Sequence, residues 1–213
     1  MQVAIALFGG FTALDAVGPY QVLALVPDAE VVLVAERAGP VRNELSSLGM
    51  VADAEFSGVP SPDIVVVPGG PDVPLADGPL HEWLRAVDAT TTWTTSVCTG
   101  SLILAAAGLL TGRTATTHWA AYDQLAQLGA TPTSERVVFD GKYVTAAGVS
   151  SGIDMGLTLA GKIAGDDVAR SIQLVIEYDP QPPYDAGSPD KAPGEIVAAV
   201  RGMLTAARSG VAS

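Results

Sequence analysis

Short apolar, β-branched runs alternate with longer stretches of helical periodicity along most of the chain, which is the sequence form of repeated strand–helix–strand units around a parallel sheet. Val3 to Phe8 is a near-continuous apolar run suited to a central strand, buried on both faces. Thr12 to Val26 then predicts a helix with a break at Gly18-Pro19. Glu30 to Ala35, Asp63 to Val67 and Trp93 to Val97 predict further strands. Pro79 to Ala89, with proline in its first turn, and Thr99 to Leu110, stopped by Gly112, predict helices.

Residues 36–62 are rich in Gly, Pro and Ser and lack periodicity, so loops or short antiparallel strands are expected there. Thr114 to Thr117 is a candidate short strand and His118 to Leu128 a helix; Arg136 to Phe139 and Tyr143 to Ala146 flank Asp140-Gly141 as a hairpin. Ser151 to Ala164, Asp166 to Tyr178 and Pro193 to Ala207 predict the remaining helices. A proline-stiffened arm, Asp179-Pro180-Gln181-Pro182-Pro183-Tyr184, precedes the last of them. With neither an internal repeat nor an interdomain linker, residues 1–213 read as one α/β domain.

Composition narrows the function classes. Eleven Lys and Arg against 23 Asp and Glu give a formal charge of −12 with no basic stripe, which disfavours nucleic acid and anionic membranes. No apolar stretch has the length of a membrane span outside a plausible core helix, and Met1-Gln2-Val3-Ala4 lacks a basic signal-peptide start. One cysteine cannot form an internal disulfide. A reduced, cytoplasmic setting is the expectation.

That cysteine, Cys98, stands in Ser96-Val97-Cys98-Thr99-Gly100-Ser101, where an apolar strand passes directly into a helix. A strand-to-helix elbow on the carboxyl edge of a parallel sheet turns its side chain toward the usual ligand crevice, and the first helical N–H groups favour a thiolate. The alternative is a small buried hydrophobe. Asp15, just after the first strand, reaches the same edge; by itself it reads equally as a helix cap. Gly69-Gly70 follows a buried strand and either turns the chain or offers N–H groups to developing charge. Gly148 and Val149 lie at another strand-to-helix junction, where pocket lining and capping are both open. His118, beside Trp119, reads as a packed helix-start residue, and His81, beside Glu82, as a solvated one. No Cys/His or acidic spacing suggests a metal.

Gly69-Gly70, the elbow at Cys98 and the helix through Gly108 resemble the ThiJ/PfpI superfamily of class I glutamine amidotransferase-like proteins over most of the chain. More narrowly, Leu14-Asp15 before Gly18-Pro19, Ser96 to Gly100, Thr116-Thr117-His118-Trp119 and Pro182-Pro183-Tyr184 resemble the isocyanide (isonitrile) hydratases of that superfamily. The resemblance implies a flavodoxin-like three-layer sandwich with a mostly parallel central sheet. It also implies a cofactor-free homodimeric lyase that hydrates a small isocyanide to an N-substituted formamide. Cys98 is then the nucleophile that forms a thioimidate, Asp15 the proton shuttle and Thr99 a positioning group, with Gly69, Gly70, Gly148 and Val149 at the substrate.

Thr99 stands where peptidases and amidases of the superfamily carry a histidine, which argues against chemistry that needs imidazole to protonate a leaving amine. Two alternatives remain: a glyoxalase- or deglycase-like cysteine enzyme, and a noncatalytic ligand or redox sensor related to transcription regulators. The acidic charge and the end at Ser213 lead us to expect no appended DNA-binding domain.

Overall fold

A computed structural model describes residues 1–208. In chain order the elements are β1 (Gln2–Ala6), α1 (Ala13–Leu23), β2 (Glu30–Ala35), β3 (Gly39–Arg42), β4 (Gly49–Ala52), β5 (Ala54–Glu55), β6 (Ile64–Val67), α2 (Pro79–Asp88), β7 (Trp93–Val97) and α3 (Gly100–Ala106). There follow β8 (Thr114–Ala115), α4 (Tyr122–Gln127), β9 (Thr131–Pro132), β10 (Val137–Asp140), β11 (Tyr143–Ala146), α5 (Ser151–Ala164), α6 (Asp166–Val175) and α7 (Gly194–Arg208). Ser213 lies outside the described residues.

Seven strands form the main sheet in the order β10-β11-β7-β6-β1-β2-β5, parallel throughout except for the β10–β11 hairpin. The apolar runs are continuous because both faces are covered. Val3 and Ile5 of β1 pack with α1, α5 and α6, whereas Ala4 and Ala6 face the side of α2, α3 and α4. β6 alternates in the same way, Ile64 and Val66 on the first side and Val65 and Val67 on the second. The result is the expected three-layer α/β sandwich.

Two sequence readings are corrected. The helix of α1 runs unbroken through Pro19; the proline lacks only the N–H that would bond the Asp15 carbonyl, and close packing on α5 holds the turn. A Cβ at Gly152 would meet Pro19 Cδ at 3.0 Å, and one at Gly18 would meet Ile153 Cγ1 at 3.2 Å. His81 is buried, not solvated, because α2 turns Leu80, His81, Leu84 and Val87 inward together. The candidate strand at Thr114 is real but lies outside the main sheet, pairing with β9. The aperiodic segment after residue 36 does form an antiparallel pair, β3 with β4.

Gly100 opens α3 against the end of β6, where a Cβ would collide with the Val67 carbonyl and lie 2.8 Å from that of Pro68. Backbone cannot yield there as a side chain can. Gly100→Ala is therefore expected to cost about 3 kcal/mol or more in urea denaturation, against about 0.5 kcal/mol or less for Gly187→Ala, since nothing lies within 4 Å of a Cβ at Gly187.

Candidate active site

Cys98 occupies the left-handed region at φ 58°. A non-glycine residue rarely adopts this conformation, and it is strained unless its surroundings over-determine it. Here they do. The Cys98 N–H donates to the carbonyls of Ala146 (3.1 Å) and Ala147 (2.8 Å) at the end of β11. Its carbonyl accepts from Thr117 Oγ1 at 3.0 Å and Ser101 Oγ at 3.2 Å. Backbone groups on both sides thus pin the turn, and the sulfur is directed toward α1.

Asp15, in the first turn of α1, is completely buried. Its Oδ2 accepts the Gly69 N–H at 2.9 Å, and the Thr12 N–H returns a bond to the Gly69 carbonyl at 2.8 Å. Thr99 Oγ1 donates to the Gly70 carbonyl at 2.6 Å and accepts the Gly70 N–H at 2.9 Å. Gly69-Gly70 is therefore clamped between the starts of α1 and α3. Only glycine fits, because a Cβ at Gly69 would lie 2.5 Å from the Thr99 nitrogen and one at Gly70 2.5 Å from the Gly10 carbonyl. Both N–H groups are engaged inside the protein, so they hold Asp15 and Thr99 instead of opening toward a ligand.

Burial governs the electrostatics. With little water to solvate its ionised form, Asp15 is pushed up to about 7; the Gly69 N–H and the nearby Cys98 thiol pull it back in part, and the negative charge of Glu44 adds to the rise. Asp15 Oδ1 itself makes no hydrogen bond of good geometry. Cys98, only 5% exposed, is pushed up to about 12 by burial and then by the charge of Asp15, against the pull of the Val149 and Thr99 N–H groups. Burial and the neighbouring charge thus oppose the thiolate that the helix start favours. A helix terminus contributes ~2 kcal/mol at most, and desolvation together with a like charge exceeds it. Two adjacent negative charges are disfavoured, so the resting pair shares one proton and titrates as a unit.

Val149 reaches the sulfur through its backbone N–H. Gly148 lies under the ring of His118, whose Cδ2 would be 3.0 Å from a Cβ there. His118 Nδ1 accepts the Ala120 N–H at 3.3 Å and its ring sits 5.5 Å from that of Trp119, so it caps and packs a turn as well as lining the space beside the elbow. That space is a cavity of about 620 Å³ bordered by His118, Trp119, Tyr122, Arg136, Val149 and Arg201. Tyr178, just before the proline-rich arm, donates to Asp154, and Tyr184 within the arm is exposed. Sequence reasoning missed Glu44 because it falls in the aperiodic segment before β4. Thr117 had been seen only as part of a motif, and its bond to the Cys98 carbonyl becomes visible only in three dimensions.

A sheet-edge cysteine at positive φ, entering a helix directly with a buried carboxylate against it, defines an α/β protein of the nucleophile-elbow class. Residues 1–162 match the DJ-1/PfpI family, and the chain belongs to it. It is similar to the isonitrile hydratase of Pseudomonas putida, with 45% identity over 203 residues covering 92% of this chain and 87% of that protein. A ThiJ/PfpI family protein from Pseudomonas syringae superposes with a TM-score of 0.92 at 36% identity, covering 98% of this chain and 89% of that one. Drosophila melanogaster DJ-1beta shares the fold, with a TM-score of 0.75 at 18% identity over 83% of this chain and 97% of its own.

The raised Asp15 has a stability consequence whose sign is definite. Between about pH 4 and about pH 7 the folded protein holds a proton that the unfolded chain has released, so stability falls as pH rises through that window. The loss is on the order of a few kcal/mol. In urea denaturation, the wild type is expected to lose stability from about pH 4 to about pH 7 relative to Asp15→Asn, with no further loss above that. Parallel profiles for the two proteins would contradict this placement of the carboxyl. The same variant removes the like charge, so Cys98 alkylation is expected to reach half its maximal rate at a lower pH than in the wild type.

Proposed function

We propose that this chain is an isocyanide hydratase, adding one water to R–N≡C to give R–NH–CHO through a covalent Cys98 thioimidate. The observation that carries the reading is the buried Asp15–Cys98 pair, with Thr99 where an imidazole would serve a peptidase. The strong similarity to isonitrile hydratase over nearly the whole chain supports it.

In this reading the pair's one proton rests on the sulfur, and Asp15 acts first as a base. Its carboxylate takes the thiol proton as sulfur attacks the terminal isocyanide carbon, and the proton then passes to that carbon, giving R–N=CH–S–Cys98. Asp15, ionised again, removes a proton from water as the oxygen adds to the same carbon. Nitrogen gains that proton, and the tetrahedral R–NH–CH(OH)–S–Cys98 collapses: the C–S bond breaks, the hydroxyl proton returns to sulfur and the formamide leaves. Thr99, fixed by its two bonds to Gly70, holds the start of α3 and an N–H beside the sulfur. Gly69 and Gly70 serve as the frame, and Gly148 and Val149 form the substrate-side wall.

The single domain works as a cytoplasmic homodimer in this reading. Exposed Leu14, Val17 and Tyr20 on α1, with Leu45, Leu48 and Val51 on the adjacent hairpin, supply the apolar surface a second copy would cover. Among the described residues no helix is long and apolar enough to cross a membrane.

With alkyl and aryl isocyanides, formamide release is expected from the wild type and none above background from Cys98→Ala. Asp15→Asn is expected to lower kcat/KM by about 100-fold or more. For the wild type, kcat/KM should fall about tenfold per pH unit below about 7, as the base becomes protonated. Loss of methylglyoxal without formamide production would instead support the glyoxalase-like chemistry.

A further inference from the structure

The cavity beside the elbow is bounded by segments of different origin. At its inner end lies Ala147 to Val149, the segment that holds Cys98: the Ala147 carbonyl accepts the Cys98 N–H at 2.8 Å, and the Val149 N–H reaches the sulfur. One wall is aromatic, with Trp119 and Tyr122 beside His118. Another is built by Gly187 to Asp190 and by Arg201 of α7. These residues lie beyond residue 162, where the family match ends, so the part of the chain common to the family does not supply them. The Arg201 guanidinium stands 5.0 Å from the centroid of the Trp119 ring, which ties α7 to the aromatic wall. Ile196, Val197 and Val200 border a narrow space of about 110 Å³ that Trp119 also lines, so α7 approaches the indole with apolar as well as cationic side chains. Arg136 is paired with Asp154 at 2.6 Å, and Asp190 stands on the same wall as Arg201, so the charges around the cavity cancel.

We propose that this C-terminal wall makes the site select uncharged aryl isocyanides, with the ring of R against Trp119 and Tyr122 beside Arg201 and the –N≡C group pointing to Cys98. The inference rests on the proposed hydratase activity and names its substrate class. Three features carry it. The first is size: the reacting –N≡C group is only two atoms long, yet the cavity holds about 620 Å³, within the ~300–1,000 Å³ of pockets that enclose drug-sized ligands. With methyl as R, water would fill most of it. The second is the lining, since indole, phenol and imidazole rings with a guanidinium favour a flat π surface over an alkyl group of equal area. The third is the cancelled charge, which gives an ionised substituent no unpaired partner and leaves R neutral.

Formamide production from 2-naphthyl isocyanide and from methyl isocyanide, compared in the wild type and in Arg201→Ala, tests the proposal. Arg201 is exposed on α7, and alanine favours the helix, so the variant is expected to fold. In the wild type, kcat/KM for the naphthyl substrate should exceed that for methyl isocyanide by about tenfold or more. That ratio should fall about threefold or more in Arg201→Ala, through KM for the naphthyl substrate, and further in Trp119→Leu. N-(2-naphthyl)formamide titrated calorimetrically into the same proteins reads the pocket without turnover. Saturable binding is expected in the wild type, weakened in Arg201→Ala by the same factor as the ratio. No preference for the naphthyl substrate in the wild type, or an Arg201→Ala protein that keeps both the ratio and the affinity, would overturn the proposal. Formamide from neither isocyanide would count against the hydratase reading; the titration then decides the aryl pocket by itself, upholding it if binding depends on Arg201 and overturning it if not.

Discussion

The bond from the Gly69 N–H to the Asp15 carboxylate is the constraint on which the site depends. It joins the loop after β6 to the first turn of α1, and the neighbouring Gly70 joins the same loop through Thr99 to the start of α3. Cys98 and Asp15 come from different βα units, eighty-odd residues apart, and this two-residue loop sets their separation. That explains why both positions are glycine: the clamp closes too tightly for a Cβ at either. It also explains how a carboxyl can stay in a completely buried place, since one oxygen is bonded while the other is left to interact with the thiol.

The same packing sets the chemistry. If Asp15 were solvated it would be ionised at neutral pH and too weak a base to take a thiol proton; burial raises its basicity while also opposing a free thiolate. The pair is thus poised to exchange one proton as a bond forms to sulfur, without standing as two charges. A substrate that gains atoms and loses none suits this arrangement, because no leaving group has to be protonated by a separate acid. The strained turn at Cys98 has the complementary task of directing the sulfur from β7 toward α1, and its carbonyl and N–H bonds hold that conformation against relaxation.

Much of this was legible in the chain. The β-branched runs at β1, β2 and β6 and the direct passage from Val97 through Cys98 into a helix marked a parallel sheet with an elbow, because burial on both faces leaves a continuous apolar signature. The ends of elements were less legible: α3 stops at Ala106 and α6 at Val175, short of the periodic pattern, since side-chain spacing does not record where the backbone leaves helical angles. Pro19 misled as a breaker because tertiary packing on α5 overrides a local rule. His81 misled because a polar residue beside Glu82 looks solvated until its phase with Leu84 and Val87 is weighed. The opposition at Cys98 was beyond reach, since the helix start visible in the sequence lowers a thiol and the burial that raises it appears only in three dimensions.

The central claim is that Cys98 forms the bond to the isocyanide carbon with Asp15 moving the proton. Intact-protein mass spectrometry after rapid acid quench of protein mixed with a ¹³C-labelled isocyanide tests it most directly. The predicted result is a transient adduct equal in mass to one substrate, mapped to Cys98, decaying as labelled formamide appears, and slower to decay in Asp15→Asn. Formamide released at the wild-type rate from Cys98→Ala, or turnover through an adduct that maps to a residue other than Cys98, would contradict it.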